Sequence, residues 1–584
     1  MYIMKAHEGE KRTGSYAHIG SGTSGIAIKQ SLRPEIKEKN MLPFSEKNVY
    51  LAGEPYARAL KNYSRLHDAY YRPGIIGREP FAASKDWPGD WEGRTILALS
   101  LHAGTLHTCP AFLDKIVDDI MSICNEDGYR GPKVDYDAIN EQLYPSHSWL
   151  MRGLIEYYKL TRRNDILDWI NRILDHLFLP LLPHLDHYPV SKSDREACTD
   201  GEAIGAVQGT FKQWRLSSDI GCIFIPLDGL TAAYELTHRS DLLPLINKTI
   251  LLFRSTDCVE NKLQTHASLT FMRGVMRMWR LTGDASLLEM AKKIFADYKR
   301  YGMTPFWANL NWFMRFSWTE PCAVIDSYML AHQLWEATGE SCYLNDSQMI
   351  LYNGMYRGQR PNGGFGCDCT GENDVLEIRK QTYEAYWCCT MRGGEGLGYL
   401  ARTAVYKDGN TLLFPVFADM KIDAGFAEIY ESSAYPYSGK VTFRIEEGDG
   451  SRRTIKLFAP VRGNNFRVCI NGMTTEYVYA DGFISFETSM LPNTEILYTF
   501  DLTLHTEPVT GVLYTGRNRC SLLYGTLLLA TDKPHSEKPD LASVERTGER
   551  EWRAGSIILK PISEAYLMEN EALKAACLGL CFRI

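Results

Sequence analysis

The chain has 584 residues, 45% hydrophobic and 23% charged, with a net charge of −7 and a pI near 6.1. That length exceeds one ordinary core, so two or three domains are expected, and the composition is that of a soluble globular protein. The acidic balance argues against nucleic acid as the main partner, and no run approaches the roughly 20 apolar residues of a membrane span. The 15 cysteines are odd in number and scattered, without a disulfide-framework spacing. Together with a start that has no apolar h-region, they predict a cytoplasmic protein with mostly reduced thiols.

Residues 1–45 are polar and carry Gly and Ser, which predicts an arm or a few edge strands. Gly20, Gly22 and Gly25 spell GxGxxG, but no buried strand precedes them and Arg33-Pro34 soon interrupts the stretch after them. A dinucleotide site needs both flanks, so the match carries no cofactor. Residues 46–406 read as helix after helix, and one phrase recurs: Tyr158-Lys159-Leu160-Thr161, Tyr234-Glu235-Leu236-Thr237, Trp279-Arg280-Leu281-Thr282 and Trp335-Glu336-Ala337-Thr338. Each copy ends an amphipathic run and leads through a short polar turn into another apolar run, the mark of a repeated helical hairpin. Spacing between copies is uneven, which suits a closed ring with functional loops on one rim better than an open solenoid. The expectation is an (α/α)6 barrel, or toroid, with the loops at 186–220, 301–317 and 357–384 around its mouth. Residues 407–584 change to the alternation of strands, as at Val441, Phe443 and Ile445, and predict one or two β-sandwich domains.

The residues with the most chemistry are Cys388-Cys389, set between Tyr386-Trp387 and Gly393-Gly394. Adjacent cysteines bond each other only with strain. They can serve one site only where the backbone is irregular, which the glycine pair would allow. Upstream, Glu320-Pro321-Cys322 offers a carboxylate and a thiol two residues apart. One carboxylate and three thiolates form a plausible tetrahedral zinc set, with Cys367-x-Cys369 as a rival source of sulfur. The bland alternative is buried, inert cysteine, a common core filler. Bound zinc would keep the thiols deprotonated, and a thiolate in a sugar-sized cleft could replace the carboxylate nucleophile of a retaining glycosidase.

Thr319-Glu320-Pro321-Cys322-Ala323, Tyr343-Leu344, Leu351-Tyr352-Asn353-Gly354 and Cys388-Cys389 together resemble the β-L-arabinofuranosidase family, glycoside hydrolase family 127, also known as domain of unknown function 1680. The resemblance implies an (α/α)6 barrel followed by β-sandwiches. It implies zinc held by Glu320, Cys322, Cys388 and Cys389, with Cys388 as nucleophile. His266 matches a histidine that contacts the sugar, and His147 a second. The family's acid/base glutamate lies in the loop before Glu-x-Cys, and here that loop, residues 301–312, has no Asp or Glu. Glu384 and Asp326 are the substitutes considered. Trp307 and Trp312 either stack a sugar ring or anchor the loop.

The expected function is a retaining glycoside hydrolase acting on an L-arabinofuranoside-like unit of plant-derived oligosaccharides. Its partner is an oligosaccharide or glycoside, with no nucleic acid or membrane, and a homodimer is admitted. The alternatives are a catalytically reduced carbohydrate-binding member with structural zinc, or an epimerase or lyase on the same barrel.

Overall fold

The computed structural model describes residues 41–76, 87–195, 205–370, 375–377, 383–509, 511–514, 518–531, 538–565 and 577–583. The Gly20–Gly25 motif and most of the N-terminal arm lie outside them. Twelve helices among these residues make two concentric rings, alternating outer and inner along the chain. The outer ring is α1 (Gly53–Arg65), α3 (Leu113–Ser122), α5 (Asn164–Ile173), α7 (Leu243–Arg254), α9 (Ala285–Tyr301) and α11 (Ser341–Met349). The inner ring is α2 (Asp90–Thr105), α4 (Leu143–Thr161), α6 (Pro226–Thr237), α8 (Thr265–Thr282), α10 (Pro321–Thr338) and α12 (Cys389–Thr403). Each inner helix packs on the next, and α12 returns to α2, so the ring closes.

The recurrent tetrapeptide is a helix stop. Thr161, Thr237, Thr282 and Thr338 each end an inner helix and turn the hydroxyl back to the carbonyl four residues earlier, at 2.7–3.0 Å. The next residue, Arg162, His238, Gly283 or Gly339, takes a left-handed conformation and donates its N–H to the carbonyl of the phrase's aromatic. This left-handed C-cap satisfies carbonyls that the helix end would otherwise orphan, and it reverses the chain toward the outer partner.

Inner helices are buried nearly all round, which explains their mixed polarity pattern. Charged residues inside the ring therefore need partners. Arg152 meets Asp228 at 3.0 Å and Glu395 at 3.1 Å, Arg273 meets Glu395 and Asp326 at 2.8 Å, and Arg392 pairs with Asp326 and Glu395.

Beyond α12 a seven-stranded and a six-stranded sheet form a sandwich, with Phe414 of one against Phe443 of the other. The first described strands belong to it: Met41–Pro43 pairs with Tyr406–Asp408, and Val49–Leu51 with Met420–Asp423. A third sheet has its own small core around Leu522, Leu529, Trp552 and Leu559. It takes two strands from the barrel, Cys369–Thr370 and Val375–Glu377, so it reaches the loop between α11 and α12. The architecture predicted for this chain, a toroid followed by β-sandwich layers, is the one observed.

Candidate active site

Helices α8, α10 and α12 start at one end of the barrel, and the loops that precede them are knitted together. Thr265 donates its N–H to Asn311 O (2.9 Å) and its hydroxyl to Leu310 O (2.7 Å). Glu320 N–H reaches Asn309 Oδ1 at 2.8 Å, and Thr319 exchanges two hydrogen bonds with Asp368. Pro321 at the first turn of α10 has no N–H to orphan and fixes its own φ. Glu320 is thereby left extended at the N-cap while Cys322 enters the helix. Cys388 is the N-cap of α12, with φ −147° and ψ −66°, and Cys389 is its first residue. The irregular backbone expected at the cysteine pair is thus at Cys388 itself. Gly393 and Gly394 sit inside the helix, where Gly393 allows close approach: a Cβ there would stand 2.1 Å from the Phe365 ring.

Three sulfurs converge. Cys389 Sγ lies 3.3 Å from Cys388 Sγ and 3.5 Å from Cys322 Sγ, too far for disulfides, and Cys367 also hydrogen-bonds Cys389. A second triad shares Cys322: His266 Nδ1 is 3.0 Å from Glu320 Oε1, and ligand atoms of His266, Glu320 and Cys322 lie within 4.8 Å of one another. Gln264 Nε2 holds the other Glu320 oxygen at 3.1 Å. The predicted set Glu320, Cys322, Cys388 and Cys389 is therefore gathered as two overlapping triads.

Burial pushes the Cys322 thiol well above its ordinary range, and its hydrogen bond with Cys388 adds to this. Burial and Cys322 do the same to Cys389. At Cys388 the bond from Cys322 favours the thiolate, but Cys389 and burial outweigh it. Such a cluster of soft donors fits a cation that would take the protons' place. Tetrahedral zinc with bonds of about 2.3 Å sets its sulfurs roughly 3.8 Å apart, close to the spacings found. The cluster is compatible with a metal site.

Beside it, the Trp149 indole carries two guanidiniums over its rings, Arg94 at 4.2 Å and Arg392 at 4.4 Å from the ring centroid, and stacks on His266. Arg94 bridges Asp90 (2.8 Å) and Cys322 Sγ (3.5 Å), placing positive charge beside the sulfurs.

The remaining predicted residues have mostly structural partners. His147 is buried, with Nε2 accepting Arg130 N–H at 2.8 Å and Nδ1 against Leu143 O at 2.7 Å; burial lowers its pKa to about 4. Both nitrogens serve the main chain. Trp312 is buried, donates Nε1–H to Ser218 O at 3.2 Å and meets Trp318 edge-on, so it anchors its loop. Trp307 is half-buried at a left-handed turn. Glu384 accepts from Arg65 Nε (2.9 Å), Thr390 Oγ1 (2.9 Å) and Asn362 Nδ2 (2.7 Å), which leaves it tied to structure. Burial alone would raise the Asp326 pKa, but Arg392 and Arg273 hold it below the ordinary carboxylate value.

Arg94, Trp149, Gln264 and Asp90 also stand at the site and were not singled out from sequence. The signal was faint: charge at core positions of inner helices, visible only once burial is known.

No family profile matches the chain, and no curated protein matches it. Solved structures do. A family 127 β-arabinofuranosidase superposes with a TM-score of 0.67, covering 94% of this chain and 98% of its own, at 14% identity. The chain shares its fold. A family 127 β-L-arabinofuranosidase from Geobacillus stearothermophilus T6 gives 0.63 over 92% of this chain and 100% of its own, at 14% identity. A third structure, described as a glycoside hydrolase, gives 0.65 over 93% and 97%, at 13% identity. The likeness runs through barrel and sheets alike. Among the described residues, no helix is long and apolar enough to cross a membrane.

Proposed function

We propose that this protein is a member of glycoside hydrolase family 127 that releases an L-arabinofuranoside-like unit from plant-derived oligosaccharides with retention of configuration. The observation that carries the reading is the Cys322–Cys388–Cys389 sulfur cluster beside Glu320 and His266, on the fold of solved β-L-arabinofuranosidases. Glu320, Cys322, Cys388 and Cys389 would hold zinc, which when bound supplies the charge that keeps the thiols deprotonated.

Cys388, at the open N-terminal end of α12 and the least buried of the three, attacks the anomeric carbon. At the helix N-terminus the main-chain N–H groups would favour the thiolate form of Cys388 before attack. Arg94 offsets negative charge on the sulfurs, and its stacking on Trp149 fixes its position. His266 presents Nδ1 to Glu320 and so orients that carboxylate, while Trp149 covers one face of the imidazole. Water then resolves the thioglycosyl intermediate. The reduced thiols this requires fit a cytoplasmic location.

The test is metal analysis of purified protein together with turnover of 4-nitrophenyl β-L-arabinofuranoside by wild type and Cys388→Ala. Stoichiometric zinc and loss of turnover in the variant are expected. Absence of zinc with full activity in Cys388→Ala would sink the reading. A second reading, a carbohydrate-binding member with structural zinc, is favoured by one observation: loop 301–312 has no carboxylate, and both substitutes considered are locked in ion pairs. Zinc and sugar binding without turnover on any aryl glycoside would establish it.

A further inference from the structure

We propose that Asp219 is the catalytic acid/base, taking the place of the carboxylate that loop 301–312 lacks; this rests on the hydrolase reading above. Asp219 follows the strand Trp214–Ser217 in a small three-stranded sheet. Its segment is fastened from both sides to loops that build the site. Ser218 O accepts Trp312 Nε1–H at 3.2 Å, and Ile220 O accepts Gln264 N–H at 2.9 Å, one residue before α8. Asp219 N–H donates to Ser217 Oγ at 3.1 Å, and its carbonyl accepts Cys222 N–H at 2.9 Å, so the backbone is pinned.

The Gln264 side chain connects the carboxyl to the sulfur cluster. Its Nε2 donates to Glu320 Oε2 at 3.1 Å, and the same side chain lies close enough to Asp219 to influence its carboxyl. Asp219 Oδ1 is enclosed and has no hydrogen-bond partner among the described residues. A buried polar atom left unsatisfied is costly unless a water or a ligand supplies its partner. Among the described residues no ion pair reaches this carboxyl, in contrast to Asp90 beside Arg94, Asp326 beside Arg392 and Glu384 beside Arg65. Burial, the largest influence on Asp219, raises its carboxyl above the ordinary carboxylate range and so favours the protonated form.

The chemistry balances. As Cys388 Sγ bonds to the anomeric carbon, the glycosidic C–O bond breaks and the Asp219 proton goes to the departing oxygen. The Asp219 carboxylate then takes a proton from water as its oxygen attacks the same carbon. The C–S bond breaks with its electron pair returning to sulfur, and Asp219 is protonated again.

The experiment compares wild type, Asp219→Asn and Asp90→Asn on methyl and 4-nitrophenyl β-L-arabinofuranosides. Loss of an acid costs roughly 10²–10⁴-fold where the leaving group is poor and far less where it is good. Asp219→Asn should therefore lose that factor on the methyl glycoside, keep most first-step rate on the aryl one, and lose the alkaline limb of the wild-type pH profile. Added azide should restore turnover of the aryl substrate, giving the glycosyl azide. Infrared difference spectra between pH 6 and 9 should show a carboxyl titrating in wild type that vanishes in Asp219→Asn. Equal losses on both substrates, no loss at all, or the leaving-group signature in Asp90→Asn instead would overturn the assignment while leaving the hydrolase in place. Wild type inactive on both substrates would remove the hydrolase reading and this role with it.

Discussion

Replacing Gly93 by alanine should force α2 and α4 apart, and with them the floor of the site. A Cβ at Gly93 would stand 2.2 Å from Leu150 N, 2.3 Å from Leu150 Cα and 2.4 Å from Trp149 C. The closeness is reciprocal, since a Cβ at Gly153 would lie 2.4 Å from Gly93 O. Carbon atoms pack best at about 3.5–4.0 Å, so the helices must separate by more than about 1 Å. Overpacking a core typically costs about 1–3 kcal/mol. Here the obstacles are main-chain atoms that no rotamer change removes, so the upper end applies, about 3 kcal/mol. At about 2–4 °C per kcal/mol for a large domain, the barrel's thermal transition should fall by about 6–12 °C. Asp90 and Arg94 ride on α2 and Trp149 on α4, so the 4.2 Å stacking of Arg94 on Trp149 would open as well. Differential scanning calorimetry of Gly93→Ala measures the shift. Gly358→Ala is the control, because its Cβ would make only ordinary contacts at 3.5 and 3.6 Å. If Gly93→Ala melted within about 1 °C of the parent, the backbone contact between these helices would not exist in solution.

Asp326→Asn would take from buried Arg392 and Arg273 one of the two anions they share, leaving Glu395 alone, a loss of up to about 3 kcal/mol readable by urea unfolding. Burial would raise the Asp326 and Asp228 pKa values, but surrounding arginines hold both below the ordinary range. The unfolded chain therefore takes up these protons first, and stability should drop as pH falls below about 4; a flat melting profile from pH 6 to 3 would contradict this. Glu384→Gln should lower stability by taking one of the two carboxylates paired with Arg65, and leave the pH–rate profile unmoved, since the carboxylate is structural. Trp312→Phe should cost about 1 kcal/mol for the lost Nε1–H bond with KM unchanged; a large rise in KM would show a sugar-stacking role instead. Asp219→Asn should raise the melting temperature more at pH 8 than at pH 5. Between the unfolded carboxyl's value and about 8 the native state keeps a proton the unfolded chain releases, so wild-type stability declines with pH there and the amide removes that decline.

Much of the fold was legible because its signals are local. The aromatic-x-x-Thr phrase closes a helix through hydrogen bonds within one turn, so its four copies mark four inner helices directly. Helices α2 and α12 lack the phrase, and only their packing on each other and on their neighbours shows that the ring is complete. The sulfur cluster was legible for a similar reason, since Cys388-Cys389 and Glu320-Pro321-Cys322 are unusual within a few residues. Their backbone explanation was not: the irregularity lies at the N-cap Cys388, and Gly393 answers instead to the Phe365 ring from another loop.

Sequence by itself determined the alternation of helices, the change to strands and the identities of the sulfur-bearing residues, because periodicity, caps and side-chain chemistry are properties of neighbouring residues. Tertiary structure decided which polar groups are spoken for. His147, Glu384 and Asp326 carry the right atoms for a sugar site, yet main chain and arginines occupy them. Asp219 resembles any other aspartate until folding sets it near Gln264 and Glu320, with Oδ1 enclosed and no ion pair among the described residues. A carboxyl's proton affinity depends on burial and on charges distant in the chain, and those exist only once the barrel has closed.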